Sequence, residues 1–206
     1  CLINIGIIHL YGVKPQFTEE DEISTVKLAI PYFEKAVSEN KKINPNSITE
    51  LSGLNNLAIA YAKAREFEKF SKTIKQSKDL AKKLFSADHD IFSEIDAISA
   101  ESYEYQKKYD DALKMVHSAI QRLASLSPND KELDWKDVDA GKVENISKLK
   151  DYTALKARIY HKKFHESNDV KDLEASLKNL DFTDKISDKI RADFTSEGGK
   201  MIISDM

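Results

Sequence analysis

The sequence has one cysteine, Cys1, and only 4 prolines and 6 glycines among 206 residues. A single cysteine can form neither a disulfide framework nor a zinc site built of thiolates. Because glycine and proline form most tight turns, their scarcity disfavours a protein made of many short strands. Lysine, glutamate, aspartate, alanine and leucine are abundant instead. These residues favour long helices, so the composition predicts an all-α protein.

The chain also lacks a long apolar run and a basic block. No stretch of about 18 uncharged apolar residues occurs, so we expect no membrane span. The 32 basic and 35 acidic residues alternate along the chain and leave a net charge of −3. Nucleic-acid binding needs clustered positive charge that neutralises phosphates, so we predict no nucleic-acid partner. Hydrophobic residues make up 41% of the chain, which is enough for a folded core.

Small and aromatic residues recur at an interval of 42 positions. Ala58 and Tyr61 return as Ala100 and Tyr103, and Phe67 returns as an aromatic residue, Tyr109. A small residue lets two helices approach closely, and an aromatic residue one turn later fills the space beside it. The interval therefore predicts a repeated helical hairpin, and it predicts that these positions are buried.

The second helix of each hairpin has its own apolar face with three- and four-residue spacing. The face consists of Ala112, Val116 and Ala119, and an earlier copy consists of Ala29, Phe33 and Ala36. Towards the C-terminus, Ala157 and Tyr160 repeat the first-helix pair, and Ala175 begins another second helix. At the N-terminus, Ile5 and Gly6 with His9 form a weaker copy of the first-helix face.

Four helical pairs follow from these faces, at about 1–41, 46–85, 90–126 and 146–194. We expect the individual helices at about 2–12, 18–41, 48–64, 66–85, 90–107, 109–126, 146–166 and 169–194. Thr18 is expected as an N-terminal cap, and Asn46-Ser47 and Asp90 are expected where the next first helices start. A polar loop at 127–145 contains Trp135, which either packs back on the helices as an apolar plug or is exposed as a partner anchor.

This pattern resembles a tetratricopeptide repeat (TPR) array. The 42-residue spacing is similar to the kinesin-light-chain style of repeat, and the segment 84–90 around His89 resembles the loop between repeats of that style. The resemblance implies a single solenoid over 1–206, a right-handed α-α superhelix of about four TPR-like hairpins. First helices line a concave groove in such arrays.

The last 60 or so residues carry a second pattern. It consists of Leu149-Lys150-Asp151-Tyr152, Leu155-Lys156-Ala157, Asp172-Leu173-Glu174-Ala175-Ser176-Leu177, Asp184-Lys185-Ile186, Arg191 and Ser196-Glu197-Gly198-Gly199-Lys200. This is similar to the repeat region that precedes caspase-like CHAT domains in bacterial proteins. The resemblance implies a regulatory or recognition arm of a larger protein.

Both ends of the sequence favour a fragment of a longer chain. Cys1 stands where an initiator methionine would be, and residues 196–206 have the composition of the start of a further helix. The expected location is the cytoplasm, with export left open for a fragment.

The sequence predicts no catalytic, cofactor or metal site, and we expect that the chain is not an enzyme. His161 and His165 are one helical turn apart, which can place two imidazoles on one metal, but two ligands are not a site, and ordinary exposed histidines are favoured. Asp88, His89 and Asp90 have no nucleophile attached by a motif, so a loop with a helix cap is favoured over an oriented base. Glycine-rich phosphate loops are missing from the sequence.

The helical register predicts which side chains line the concave groove. They are Asn55, Ile59 and Lys63 in the second pair, Glu101 and Tyr105 in the third, and Arg158 and His161 in the fourth. The leading hypothesis is a scaffold that binds a partner protein or peptide in this groove. The alternative is a structural arm, without a groove ligand, that positions a downstream caspase-like CHAT peptidase domain of the same chain.

Overall fold

The computed structural model describes residues 2–11, 18–124, 143 and 145–204, without the side chains of residues 5, 8–11 and 193–204. Nearly all of the predicted loop 127–145, together with Trp135, lies outside the described residues. The described residues form eight helices and no strand, so the all-α class is confirmed. The helices are α1 Leu2–Tyr11, α2 Glu19–Ile43, α3 Ile48–Lys63, α4 Phe67–Leu84, α5 Ile91–Tyr105, α6 Tyr109–Leu123, α7 Ile146–Ser167 and α8 Val170–Ser204.

Each helix begins at, or directly beside, the residue expected from the sequence. The expected end of the last helix near 194, followed by a new helix from 196, differs from the structure. Helix α8 continues without interruption to Ser204. No proline occurs between Val170 and Ser204, so nothing in this segment forces the backbone out of the helical conformation.

Thr18 and Ser47 cap their helices, and Asp90 does not. The Thr18 hydroxyl accepts a hydrogen bond from the backbone N–H of Asp21 at 3.2 Å, and the Asp21 carboxylate accepts from the Thr18 N–H at 3.0 Å. The Ser47 hydroxyl caps α3 by accepting a hydrogen bond from the Glu50 N–H at 3.2 Å. Asp90 has helical backbone angles, so its side chain does not cap α5. The Ile91 N–H instead donates to Nδ1 of His89 at 3.1 Å.

The chain divides into two compact units, residues 1–112 and 113–206, and the single solenoid and its superhelical path stay predictions. In the first unit, α1 packs on α2, α2 on α3, and α3 on α4, while α5 packs on both α3 and α4. The predicted core positions Ala29, Phe33, Ala58 and Ala100 are fully buried. The small and aromatic residues from which the hairpins were predicted therefore pack in the core of the first unit.

Gly6 lies against the Phe33 ring where α1 packs on α2. A β-carbon at Gly6 would lie 2.7 Å from Cε1 of the Phe33 ring, a distance that real β-carbons essentially never show. Gly6 is buried, so the weak N-terminal copy of the first-helix face includes a true packing position. The side chains of Ile5 and His9, the other residues of this predicted face, are not among the described side chains.

The turns α3–α4 and α5–α6 have the same backbone geometry, 42 residues apart. The N–H of Glu66 donates to the Tyr61 carbonyl at 2.9 Å, and the N–H of Lys108 donates to the Tyr103 carbonyl at 2.9 Å. The residue before each donor, Arg65 or Lys107, has a positive φ of 63° or 60°. This six-residue closure is a Schellman-type helix end. The 42-residue interval is therefore present in the backbone as well as in the sequence.

The two tyrosines of the repeat differ in burial. Tyr61 is 5% exposed, and its hydroxyl donates to the Glu34 carboxylate on α2 at 2.5 Å. Tyr103 is only half-buried, so the prediction that it is a core residue equivalent to Tyr61 is wrong. The two tyrosines also differ in their contact with a neighbouring helix, because the Glu34 carboxylate of α2 accepts from the Tyr61 hydroxyl.

The second unit contains the hairpin α7/α8 and most of α6. On α6, Val116 and Ala119 are fully buried, as predicted. Between α7 and α8, the Ser176 hydroxyl donates to the carbonyl of Ala157 at 2.9 Å. A side chain can reach a helical carbonyl of its neighbour only where the backbones lie close together. Ser176, at 2% exposure, therefore has the close-contact position that the sequence assigned to the half-buried Ala175.

Candidate partner-binding surfaces

Asn55, the first of the predicted groove residues, is buried in the first unit. Its side chain is 3% exposed. The amide Nδ2 donates to Oε1 of Glu94 on α5 at 2.9 Å, and the amide oxygen accepts from the Ser77 hydroxyl on α4. The prediction that Asn55 faces a partner is therefore corrected. A buried amide must satisfy its donors and acceptors internally, and here it links three helices.

Three other predicted groove residues, Ile59, Lys63 and Tyr105, lie on the neighbouring helices α3 and α5. Ile59 and Tyr105 are half-buried, and both pack against the core of the first unit. The guanidinium of Arg65 lies over the Tyr105 ring, with Cζ 4.0 Å from the ring centroid. We refer to Ile59, Lys63, Arg65 and Tyr105 as the α3/α5 patch. Glu101 lies one turn before Tyr105 on α5 and is half-buried.

Charged side chains of α2 cover the rim of the α3/α5 patch. Nζ of Lys63 lies 3.6 Å from Oε1 of Glu22, and Nη2 of Arg65 lies 2.5 Å from Oε1 of Glu19. Glu19 and Glu22 are 70% and 40% exposed, so water screens both ion pairs. Such pairs contribute about 0–1 kcal/mol each. A partner could therefore replace them at little energetic cost.

Arg65 is the residue of this patch that sequence reasoning missed. Its backbone has the left-handed conformation of the α3–α4 turn, which directs the side chain towards Tyr105 instead of along α3. The Nη1 atom of Arg65 is buried without a hydrogen-bond partner. The 42-residue repeat offered one signal, because Arg65 and Lys107 are both cations at the same turn position.

The remaining predicted groove residues, Arg158 and His161, belong to the second unit. Both are exposed on α7, one turn apart. Nε2 of His161 lies 3.3 Å from Nε2 of His165, and the two rings meet edge to face with centroids 4.5 Å apart. The structure thus pairs His161 with a residue that the groove prediction did not include.

Helix α8 exposes an apolar side in the second unit. Val170, Leu177 and Leu180 are 60%, 58% and 45% exposed. Their spacing of seven and three residues places them on one side of the helix. The opposite side carries Phe182 and Ile186, both of which are buried. Val170, Leu177 and Leu180 therefore do not belong to the buried core of the α7/α8 hairpin.

A shallow cleft of about 290 Å³ lies in the first unit between α2, α3 and α4. Its apolar lining comes from Val37, Leu54 and Leu80, and lysines and carboxylates surround it. This size is near the lower limit of small-molecule sites.

The other chemical candidates from the sequence have local roles. Asp88, His89 and Asp90 lie at the start of α5, where His89 accepts the Ile91 N–H, and a hydrogen bond from Ser86 lowers the pKa of Asp88. Within the residues that the structure describes, no group of three or more His, Cys, Asp or Glu side chains could hold a metal ion. The same part of the chain contains no helix that is long and apolar enough to cross a membrane.

Comparison with protein-family models gives no match, and comparison with the curated proteins gives no significant match.

Proposed function

We propose that this chain is a protein-binding module of TPR-like helical hairpins that holds a partner protein or peptide at the α3/α5 patch. The observation that carries the proposal is the stack of Arg65 over Tyr105, beside Ile59 and with Lys63 on the rim. Arginine and tyrosine are over-represented among the residues that contribute most to protein–protein affinity. A half-buried aromatic floor with a charged rim is the usual anatomy of a protein interface.

The same features indicate the chemistry of the partner. An apolar side chain of the partner would pack on Ile59 and Tyr105. Its carboxylates would replace Glu19 and Glu22 at Arg65 and Lys63, which exchanges one exposed ion pair for another that the partner shields from water. Glu101 would face a basic side chain. We therefore propose a partner segment with an apolar anchor and flanking charges of both signs.

The remaining features of the proposal rest on the internal repeat. The repeated turn and the fully buried Ala58 and Ala100 support stacked hairpins, and stacked hairpins support a right-handed superhelix with a concave face. We propose on the same grounds that the chain is a recognition arm of a larger bacterial protein and performs no catalysis itself.

A charge exchange at the patch tests the proposal. The variant K63E/E101K keeps the net charge but inverts the field of the patch. The matched control, E68K/K72E, exchanges the same charges on the exposed side of α4 in the same unit. Both variants and the unchanged chain are used to capture proteins from an extract of the source cells, with quantitative mass spectrometry as the readout.

We expect at least one protein that the unchanged chain and E68K/K72E retain equally, and that K63E/E101K retains roughly tenfold less, a loss of about 1.4 kcal/mol in binding. Helical circular dichroism and thermal melts confirm that both variants are folded. Equal retention by a folded K63E/E101K would show that the patch is not the binding surface.

The exposed apolar side of α8 favours a second candidate, a structural arm that positions a downstream domain such as a CHAT peptidase. Val170, Leu177 and Leu180 would be covered by the next element of such a protein. Amide hydrogen exchange of α8, compared between this chain and the complete gene product, tests this. Stronger protection around Leu177 in the complete product would support the structural arm, and unchanged exchange would contradict it.

A further inference from the structure

The Nε2 atoms of His161 and His165 lie close together on the exposed side of α7. The two atoms are 3.3 Å apart, and both side chains are exposed. Four-residue spacing places the two rings on the same side of the helix, one turn apart. This proximity is therefore fixed by a regular helix and needs no loop to hold it.

This separation corresponds to a particular coordination geometry. Zinc–nitrogen bonds are about 2.0–2.1 Å long, so two nitrogens at neighbouring corners of a zinc tetrahedron are about 3.3 Å apart. Adjacent corners of a square-planar site with bonds of the same length would be about 2.9 Å apart. The observed distance fits the tetrahedral arrangement.

We propose that His161 and His165 form a two-histidine site for a tetrahedral divalent transition metal, with Zn²⁺ as its ion. Neutral imidazole is a preferred ligand of zinc. Because both rings are exposed, the other two coordination positions face solvent, where water or a carboxylate from another molecule can occupy them. The site is separate from the proposed protein-binding patch and does not depend on it.

Cationic side chains flank the pair on α7. Arg158 lies one turn before His161, and Lys163, two residues after His161, has its Nζ 3.5 Å from Oδ1 of Asp172 on α8. That carboxylate compensates part of the positive charge on this turn of α7. Among the other histidines with described side chains, His89 receives the Ile91 N–H, and His117 lies 3.4 Å from Nζ of Lys156.

Isothermal titration calorimetry with Zn²⁺ tests the proposal on the 206-residue chain, free of any purification tag. All proteins carry Cys1→Ser, because an N-terminal thiol and amine could bind zinc themselves. The variants are H161A, H165A and the relocated pair H165A/E166H. The relocated pair keeps two imidazoles but places them five residues apart, on different sides of the helix. H89A is the matched control.

We expect one zinc ion per chain for the unchanged protein and for H89A. H161A, H165A and H165A/E166H should each bind at least about tenfold more weakly, because a single imidazole loses the chelate advantage. Equal affinity in the relocated pair, or absence of zinc binding by the unchanged chain, would overturn the proposal. The substituted side chains of α7 are exposed, and circular dichroism checks that each variant keeps its helices.

Discussion

Tyr61 is surrounded by charged side chains although it lies in the core of the first unit. Its hydroxyl donates to Glu34, the Lys69 ammonium lies 5.3 Å from its ring centroid, and Lys69 is paired with Glu66 at 2.7 Å. Burial and, after it, the hydrogen bond to the Glu34 carboxylate raise the pKa of Tyr61. The neutral phenol is thus strongly preferred in the folded protein.

Tyr61 should ionise at a higher pH than an ordinary tyrosine does. Since its folded pKa is above the ordinary tyrosine value of about 10, its contribution to stability is complete below that pH and is lost as the pH rises further. Phenolate absorbance in an alkaline titration measures the effect. The part of the absorbance change that is delayed to this higher pH should be missing in Tyr61→Phe and present in Tyr103→Phe. A Tyr61→Phe titration that keeps the delayed change would contradict the assignment.

Gly6→Ala should destabilise the protein by about 1–3 kcal/mol, because the new methyl group would overlap the Phe33 ring between α1 and α2. Gly53→Ala is the matched control in α3. Its β-carbon would meet only one movable methyl group of Val37, at 3.0 Å, and the helix would gain about 1 kcal/mol in propensity. Urea unfolding compares the two variants. A Gly6→Ala protein as stable as Gly53→Ala would show that α1 does not pack as described.

At the scale of the element, the hairpins are defined by how they turn. The α3–α4 and α5–α6 turns close through the same two backbone groups, with Arg65 and Lys107 in the left-handed conformation. The α7–α8 turn uses Asn168 there, with φ of 56°. Asparagine tolerates this conformation better than lysine or arginine does. At Arg65 the contact of the guanidinium with the Tyr105 ring offsets the cost of the left-handed backbone conformation.

Lys107→Gly should therefore raise the free energy of unfolding by up to about 1 kcal/mol, because glycine has no β-carbon penalty at positive φ. Lys72→Gly, the same change at an exposed position inside α4, should lower it by about 1 kcal/mol. Thermal or urea unfolding measures both. Equal destabilisation by the two substitutions would mean that the α5–α6 turn is not left-handed at Lys107.

For the molecule as a whole, the sequence predicted features that depend on local periodicity. Helix starts and the burial of Ala58, Ala100 and Val116 follow from 3.6-residue spacing and capping, which act within a few residues. The burial of Asn55 could not be predicted, since it depends on Ser77 and Glu94 arriving from two other helices. The stack of Arg65 on Tyr105 and the partial exposure of Tyr103 likewise depend on neighbouring helices. The periodicity of one helix contains no information about its neighbours.

Helix α3 should have the slowest amide hydrogen exchange in the first unit. Among the described helices it packs against α1, α2, α4 and α5, whereas α1 packs mainly on α2. Amides exchange through local opening, and a helix with more packed neighbours opens at a higher free energy. Exchange followed by mass spectrometry should give protection in the order α3 above α1. The reverse order would contradict this packing.

The shared turn also bears on how such a chain could lengthen or shorten. Each closure joins a tyrosine carbonyl to the N–H five residues later. The hydrogen bond that ends the first helix of a hairpin therefore lies inside that hairpin's own 42-residue segment. Duplication of one segment would copy a complete turn, and deletion of one would remove no hydrogen bond from the turns of the others. Change in the number of segments is therefore accessible to this protein through unequal recombination without redesign of its turns.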